Sequence, residues 1–393
     1  MGEKTALTGN DATAVAFRQV NPDVAAVFPI TPQTELMHKF AAFAADGEVD
    51  TELVPVESEH SAMSAAIGSA AAGARTITAT SSQGLALMWE MLYIAASMRL
   101  PIVMVNVNRA LSGPINIHCD HSDSMGARDS GWIQIFSESA QEAYDNTVQA
   151  FRIAEDKNVL LPVMVTLDGF IISHTMEALQ IEPDEAVRGF VGEYKPDHWL
   201  LSPDETITLG PLDLPDWYFE HKRQQIEATY CAPEVIERVG AEYGKLTGRP
   251  YGLMEKYKCD DADLILVAMG STAGTAKVTI DKARSDGLKA GLLKVRVFRP
   301  FPGSQIAAAI KRAKAVCVLD RSVSFGLAGG PLFNEIRSAA YGAKLQVPII
   351  NFIYGLGGRD INDIAIRTAV DAAGEAAATG KTDPVDRFLG LRG

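Results

Sequence analysis

Residues Val54–Gly113, VPVESEHSAMSAAIGSAAAGARTITATSSQGLALMWEMLYIAASMRLPIVMVNVNRALSG, decide the fold. Short apolar runs alternate with longer helical ones. LVPV, TITAT and LPIVMVNV have strand length, while HSAMSAAIGSAAAG and LALMWEMLYIAAS have helix length. This β-α-β-α-β order predicts a parallel sheet covered by helices, because parallel neighbours need a crossover long enough to hold a helix. Polar residues gather where each strand ends: Glu57-Ser58-Glu59-His60, Ser81-Ser82-Gln83-Gly84 and Asn108-Arg109. Ligands of open α/β sheets bind beyond the carboxyl ends of the strands, so these three turns are expected to share one edge and face one pocket.

The pattern extends both ways. Upstream, TGNDATAVAFRQV reads as a helix with Asn10 or Asp11 near its N-cap. VAAVFPI is a strand stopped by Pro29 and Pro32, and TPQTELMHKFAAFA opens the next helix, with Thr31 in the turn between them. Downstream of Arg109, LSGPINIHCDHSDSMGARDSGWIQIFS is too polar to be regular throughout, and long polar loops at a sheet mouth are usually functional. SAQEAYDNTVQAFRIAEDKN reads as an amphipathic helix and VLLPVMVTLD as a buried strand ending at Asp168. Periodicity then fades into a proline- and charge-rich connector, with helix returning in YFEHKRQQIEATYCAPEVIERVGAEYGKLTG. A second α/β unit follows from ADLILVAMGS to VPIINFIYGLGG. The expected division is 1–180, a connector over 181–250, and 251–393.

Composition narrows the partners. The formal net charge of -13 and the lack of a Lys/Arg cluster exclude a nucleic-acid surface. Four scattered cysteines, Cys119, Cys231, Cys259 and Cys317, form no CxxC spacing, so no local zinc or iron–sulfur motif and no disulfide framework is expected. The opening MGEKTALTGNDATAV lacks the apolar core of a signal peptide, and Glu90, Arg99 and Pro101 interrupt the apolar run Leu85–Val107. A cytoplasmic protein without membrane contact is the expectation.

Several clusters could carry chemistry. Glu59 is either an acidic first-turn residue favoured by the helix dipole, or a carboxylate poorly solvated among Ala, Ser, Met and Ile, with a raised pKa suited to acid/base work. Arg109 either caps a strand end or holds a carboxylate with its guanidinium fork. The run His118-Cys119-Asp120-His121-Ser122-Asp123 has a His-x-x-His spacing, but a loop whose Asp and Ser bond to its own backbone explains it better than a metal site. Gly270-Ser271-Thr272-Ala273-Gly274 resembles a phosphate turn without the full dinucleotide fingerprint or a P-loop lysine, and packing against a partner explains it equally well.

With these residues placed, the chain resembles the alpha subunits of pyruvate:ferredoxin oxidoreductase and related 2-oxoacid:acceptor oxidoreductases over nearly its whole length. FPITPQTE, the VESEHSAM to LYIA stretch, NRALSGPINIHCDHSDSM, DGFIISHT, KVRVFRPFP and YGLGGRD carry the likeness. The resemblance implies a thiamine-diphosphate domain of the pyrimidine-binding type, followed by a smaller α/β domain like the C-terminal domain of transketolases. It implies that Glu59 hydrogen-bonds the aminopyrimidine ring and promotes its imino tautomer, the base that deprotonates the thiazolium carbon. Thr31 and Arg109 would contact the 2-oxoacid carboxylate, and Pro29, Ser82 and Gln83 would join Glu59 in binding the cofactor. The chain lacks the Gly-Asp-Gly turn that holds Mg2+ and diphosphate in such enzymes. A beta subunit would therefore supply that site, and gamma and delta ferredoxin-like subunits, or fusions, the 4Fe-4S iron–sulfur clusters. Coenzyme A would be co-substrate and ferredoxin the acceptor. Pyruvate suits the aliphatic Ile115 and Ile117 of the loop. Another 2-oxoacid, such as 2-oxoglutarate, a branched-chain or aryl one, or oxalate, and a non-catalytic scaffold are the alternatives.

Overall fold

The computed structural model describes residues 2–392 and builds two parallel-sheet units. The first sheet has seven strands in the order Val297–Arg299, Ile133–Phe136, Val163–Asp168, Val103–Asn108, Thr76–Thr80, Val24–Val27 and Glu52–Pro55. All pair in parallel except the first, which runs antiparallel. The second has six strands, Phe388–Leu389, Ile349–Tyr354, Ala315–Asp320, Leu264–Ala268, Ala290–Val295 and the antiparallel edge Met254–Tyr257. The strand Val297–Arg299 lies beyond residue 250 in sequence yet completes the first sheet, so the chain crosses between the units there. A small antiparallel ribbon pairs Glu3–Leu7 with Glu177–Ile181.

Strand alternation explains where the site forms. In Val103–Asn108, Val103, Val105 and Val107 enter one core cluster, while Met104 enters the cluster on the opposite face. Side chains two apart share a face, so Asn106 and Asn108 extend the Met104 row. Thr80 in TITAT and Thr166 and Asp168 in VMVTLD repeat the arrangement beside them. The central strands are buried throughout, and one face turns from apolar to polar as it nears the carboxyl edge. What reads as an unbroken apolar run before Arg109 is therefore two-sided. Burying that polar row is tolerable only if it finds hydrogen-bond partners.

Two local expectations change, and two more segments gain detail. The first helix, Gly9–Val20, is capped by Thr8 rather than Asn10 or Asp11. Its hydroxyl accepts from the Asp11 N–H and donates to the Asp11 carboxylate, the T-x-x-D arrangement that satisfies orphan donors. The helix Ala140–Ala154 is buried nearly all round, not amphipathic toward solvent. Its polar side is spent on the second unit: Lys294 Nζ lies 2.6 Å from both Glu138 and Glu142, and Arg296 donates to Asn146 and Gln149. The stretch 181–250 contains the 30-residue helix Tyr218–Thr247, whose Ala228, Ala232, Val235, Ile236, Val239 and Tyr243 enter the first core. The long loop after Arg109 holds a short helix, Ser122–Gly126, and the strand Ile133–Phe136.

Candidate active site

The strand-end turns converge as the parallel sheet requires. Ser58 caps the helix Glu59–Ala71, its hydroxyl accepting from the Ser61 N–H, and this places Glu59 at the first helical position. Glu59 is buried, whereas Glu57 is exposed and accepts from Ser61 Oγ at 2.6 Å, which holds its carboxyl below the usual range. Among the described residues the Glu59 carboxylate has no hydrogen-bond partner. It lies against Gly84: a Cβ there would stand 2.7 Å from Glu59 Oε1, 2.8 Å from Glu59 Cγ and 2.5 Å from Thr80 Oγ1. Thr80 Oγ1 and Ser81 Oγ are likewise buried without partners. An N-terminal helical position also suits a negative charge.

Arg109 is buried and pairs with no carboxylate among the described residues. Its Nε donates to the Asn116 carbonyl and its Nη1 to the Thr31 carbonyl, each at 3.0 Å, while Nη2 has no partner. Burial lowers its pKa from the ordinary arginine value, and the nearby Asp123 carboxylate opposes this. Two neutral carbonyls thus fix the plane of the fork and leave its charge uncompensated, an arrangement suited to an incoming anion. Thr31 is exposed beside it and meets Arg109 through its backbone, and Pro29 is exposed two residues earlier.

Ser82 and Gln83 join the halves. Ser82 is fully buried, with its hydroxyl donating to the Ala110 carbonyl at 2.6 Å, and Gln83 Nε2 donates to Ser112 Oγ at 2.6 Å. One short turn therefore touches Glu59 through Gly84 and the Arg109 loop through Ser82 and Gln83. Sequence reading missed the residue that ties this together, Asp123. Its carboxylate accepts from the backbone N–H groups of Ser82, Arg109 and Ser124 and from the amides of Asn106 and Asn108, at 2.7–3.2 Å. Burial raises its pKa against those hydrogen bonds. Ser82 holds a φ of 48°, in the left-handed region, where the Asp123 contact helps keep it. The available signal was the pair of asparagines on one strand face, which need a buried acceptor.

The remaining motifs resolve structurally. Asp120 accepts from the Ser122 N–H and hydroxyl, as a self-bonded loop should. His121 Nε2 lies 2.8 Å from Asp168, which also accepts from Arg321 Nη1 at 2.9 Å and from the Ser271 N–H and hydroxyl. Despite burial, His121, Arg321 and Ser271 hold the Asp168 carboxyl well below the usual range. The anion at the phosphate-like turn is thus the protein's own Asp168. Cys119, His121 and Asp168 are close enough to share a metal ion, but Asp168 is already committed to a guanidinium. A cavity of about 730 Å3 lies elsewhere, among Tyr93, Ser97, Arg99, Leu212, Tyr218 and Lys222. No helix among the described residues is long and apolar enough to cross a membrane.

Two parallel-sheet units, with the strand-end turns of the first gathered at one carboxyl edge, form an architecture shared with solved structures. The fold matches a 2-oxoglutarate:ferredoxin oxidoreductase from Magnetococcus marinus solved with 2-oxoglutarate, coenzyme A and succinyl-CoA, with a TM-score of 0.76 at 21% identity over 95% of this chain and 65% of that one. It also matches a split-gene transketolase, with a TM-score of 0.56 at 12% identity over 93% and 98%. The chain belongs to the pyruvate flavodoxin/ferredoxin oxidoreductase family: the family's thiamine-diphosphate-binding model matches residues 15–241, and the pyruvate:ferredoxin oxidoreductase core domain II model matches residues 262–365. It is 54% identical to pyruvate synthase subunit PorA of Thermotoga maritima over 99% of this chain and 98% of the relative. The PorA subunit of Methanocaldococcus jannaschii is 51% identical over 94% and 95%. The ketoisovalerate oxidoreductase subunit VorA of Pyrococcus abyssi is 43% identical over 97% and 96%.

Proposed function

We propose that this chain is the alpha subunit of a thiamine-diphosphate-dependent pyruvate oxidoreductase, acting in an assembly that converts pyruvate to acetyl-CoA and CO2, reversibly, with electrons passed to ferredoxin. The observation that carries it is Glu59, a buried carboxylate without a donor of its own, cradled where position 84 has no room for a Cβ. End-to-end similarity to pyruvate synthase subunits supports pyruvate over the branched-chain substrate of the VorA relative. The residues present fit the cofactor, since an unpartnered acid among unpartnered hydroxyls suits a ring nitrogen that donates or shares a proton. When bound, thiamine diphosphate supplies a nucleophilic carbon for the 2-oxo group and an electron sink for loss of CO2.

This chain's residues then have definite tasks. Glu59 would hold a proton between its carboxylate and the aminopyrimidine. Pro29, Ser82 and Gln83 shape the cofactor's edge of the site, Ser82 and Gln83 by holding the turn that carries Gly84. Arg109 takes the substrate carboxylate on its free Nη2 edge with Thr31 alongside, and its carbonyl contacts keep the fork from rotating. The beta partner brings Mg2+ and the diphosphate site, and further subunits bring iron–sulfur clusters, because this chain has neither a Gly-Asp-Gly turn nor a cysteine cluster.

The test is carried out on the assembled complex. Among pyruvate, 2-oxoisovalerate and 2-oxoglutarate, kcat/KM should be highest for pyruvate. Glu59→Gln should slow C2 proton–deuterium exchange of bound thiamine diphosphate by roughly 10²–10⁴-fold, the usual worth of acid–base assistance. Glu57→Gln should leave it unchanged. Exchange lost in Glu57→Gln alone would move the role to that residue, and fast exchange in both would remove cofactor activation from this chain.

A further inference from the structure

We propose that the second unit takes part in substrate binding: its Gly355–Gly358 turn latches the loop 110–121 and, through Asn116, sets the Arg109 guanidinium. The inference rests on the reading of Arg109 as the carboxylate binder. Three contacts make the latch. Asn116 Nδ2 donates to the Gly357 carbonyl at 3.1 Å, the Gly358 N–H donates to the Cys119 carbonyl at 2.7 Å, and the Gly357 N–H donates to Asp120 Oδ2 at 3.2 Å. Arg321 closes the base, its carbonyl accepting from the His121 N–H at 2.9 Å.

Positions 357 and 358 of the turn favour glycine on both backbone and space. Gly357 and Gly358 have φ of 60° and 78°, in the left-handed region. A Cβ on Gly357 would meet Asn116 Nδ2 at 2.6 Å, and one on Gly358 would meet His118 Cβ at 2.3 Å. The same loop holds Arg109 from its other side, because the Asn116 carbonyl accepts Arg109 Nε at 3.0 Å. Asn116 therefore has its side chain on the second unit and its carbonyl on the substrate arginine. Moving the turn moves that carbonyl. The loop tip, with Leu111 and Ile115 exposed, lies beyond the clamped base.

The experiment compares Gly358→Ala and Asn116→Ala in the assembled complex, with Arg109→Lys as reference. Ordinary contact begins near 3.4 Å, so Gly358→Ala must push the loop by about 1 Å at His118. Displacements of that size at positioning groups cost up to about 100-fold, so kcat/KM for pyruvate should fall roughly 10- to 100-fold, chiefly through KM. Asn116→Ala removes one half-buried side chain with its two hydrogen bonds, to the Gly357 carbonyl and from the His118 N–H, and should cost roughly 3- to 10-fold. It keeps the test open should Gly358→Ala fail to fold. C2 exchange of bound thiamine diphosphate should stay at the wild-type rate, and amide hydrogen exchange of peptides spanning 110–121 should quicken. Combined with Arg109→Lys, either change should be less than additive, because both act through one guanidinium. Wild-type KM and wild-type loop exchange in both variants, beside an Arg109→Lys that raises KM, would overturn the latch, as would full additivity. An Arg109→Lys with unchanged KM would instead refute the underlying reading of Arg109.

Discussion

Gly84→Ala separates what the fold wants from what the site needs. Position 84 lies within the helix Ser82–Leu87, where alanine is favoured over glycine by up to about 1 kcal/mol, so the local backbone should welcome the change. The site should not. The new Cβ would fall 2.7 Å from Glu59 Oε1 and 2.8 Å from its Cγ, about 0.7 and 0.6 Å inside the 3.4 Å at which ordinary contact begins. Swinging the carboxylate end alone relieves only the first clash; the Cγ contact requires the whole side chain to move. Thr80 Oγ1, at 2.5 Å, blocks the other direction. Overpacking of this kind costs about 1–3 kcal/mol of stability, of which the helix gain offsets up to about 1 kcal/mol. A proton-sharing carboxylate must stay within about 2.6–3.2 Å of its partner, so a shift of this size takes Glu59 out of range. Proton–deuterium exchange at C2 of bound thiamine diphosphate should slow by roughly 100-fold in a complex that still assembles, with a net stability loss of no more than about 2 kcal/mol. Gly68→Ala is the control, since a Cβ there meets nothing within 4 Å. Exchange at the wild-type rate in Gly84→Ala, in a complex that still binds the cofactor, would refute the reasoning.

Arg109→Lys keeps the charge but cannot span the Asn116 and Thr31 carbonyls while presenting a flat fork to a carboxylate; kcat/KM for pyruvate should fall by roughly 1.5–3 kcal/mol, and unchanged steady-state constants would place Arg109 outside the site. Asp168→Asn leaves Arg321 buried without its one carboxylate partner among the described residues, and removing one member of a buried pair costs about 3–5 kcal/mol, read as a lower denaturant midpoint. Because the Asp168 pKa is lower folded than unfolded, its contribution is full above about pH 4 and fades as pH falls through the folded value. The gap between wild type and Asp168→Asn should therefore be constant near neutrality and narrow in acid. A gap that widened in acid would contradict the assigned ion pair.

Local chemistry made much of this protein legible in advance. The period-two and helix-length runs of Val54–Gly113 dictate alternating strands and helices. Parallel pairing then brings the turns after Val27, Pro55, Thr80 and Asn108 to one edge, which is why Thr31, Glu59, Ser82 and Arg109 could be singled out together. The structure decided which of Glu57 and Glu59 is buried, since Ser58 caps the helix and Glu59 begins its buried face. Tertiary structure alone decided the supports. Asp123 becomes the hub of the site only because a loop folds back under two neighbouring turns, and no residue spacing announces that. The strand Val297–Arg299 reads as part of the second unit and is recruited by the first, because Ile133–Phe136 offers an open edge. Asn116 and Gly357 meet across 241 residues of chain. Propensity and periodicity act over a few residues, whereas the position of a buried hydrogen-bond partner depends on how whole sheets pack. The sequence therefore singled out Thr31, Glu59, Ser82 and Arg109 as one group, and only the packing of the two units determined what holds them in place.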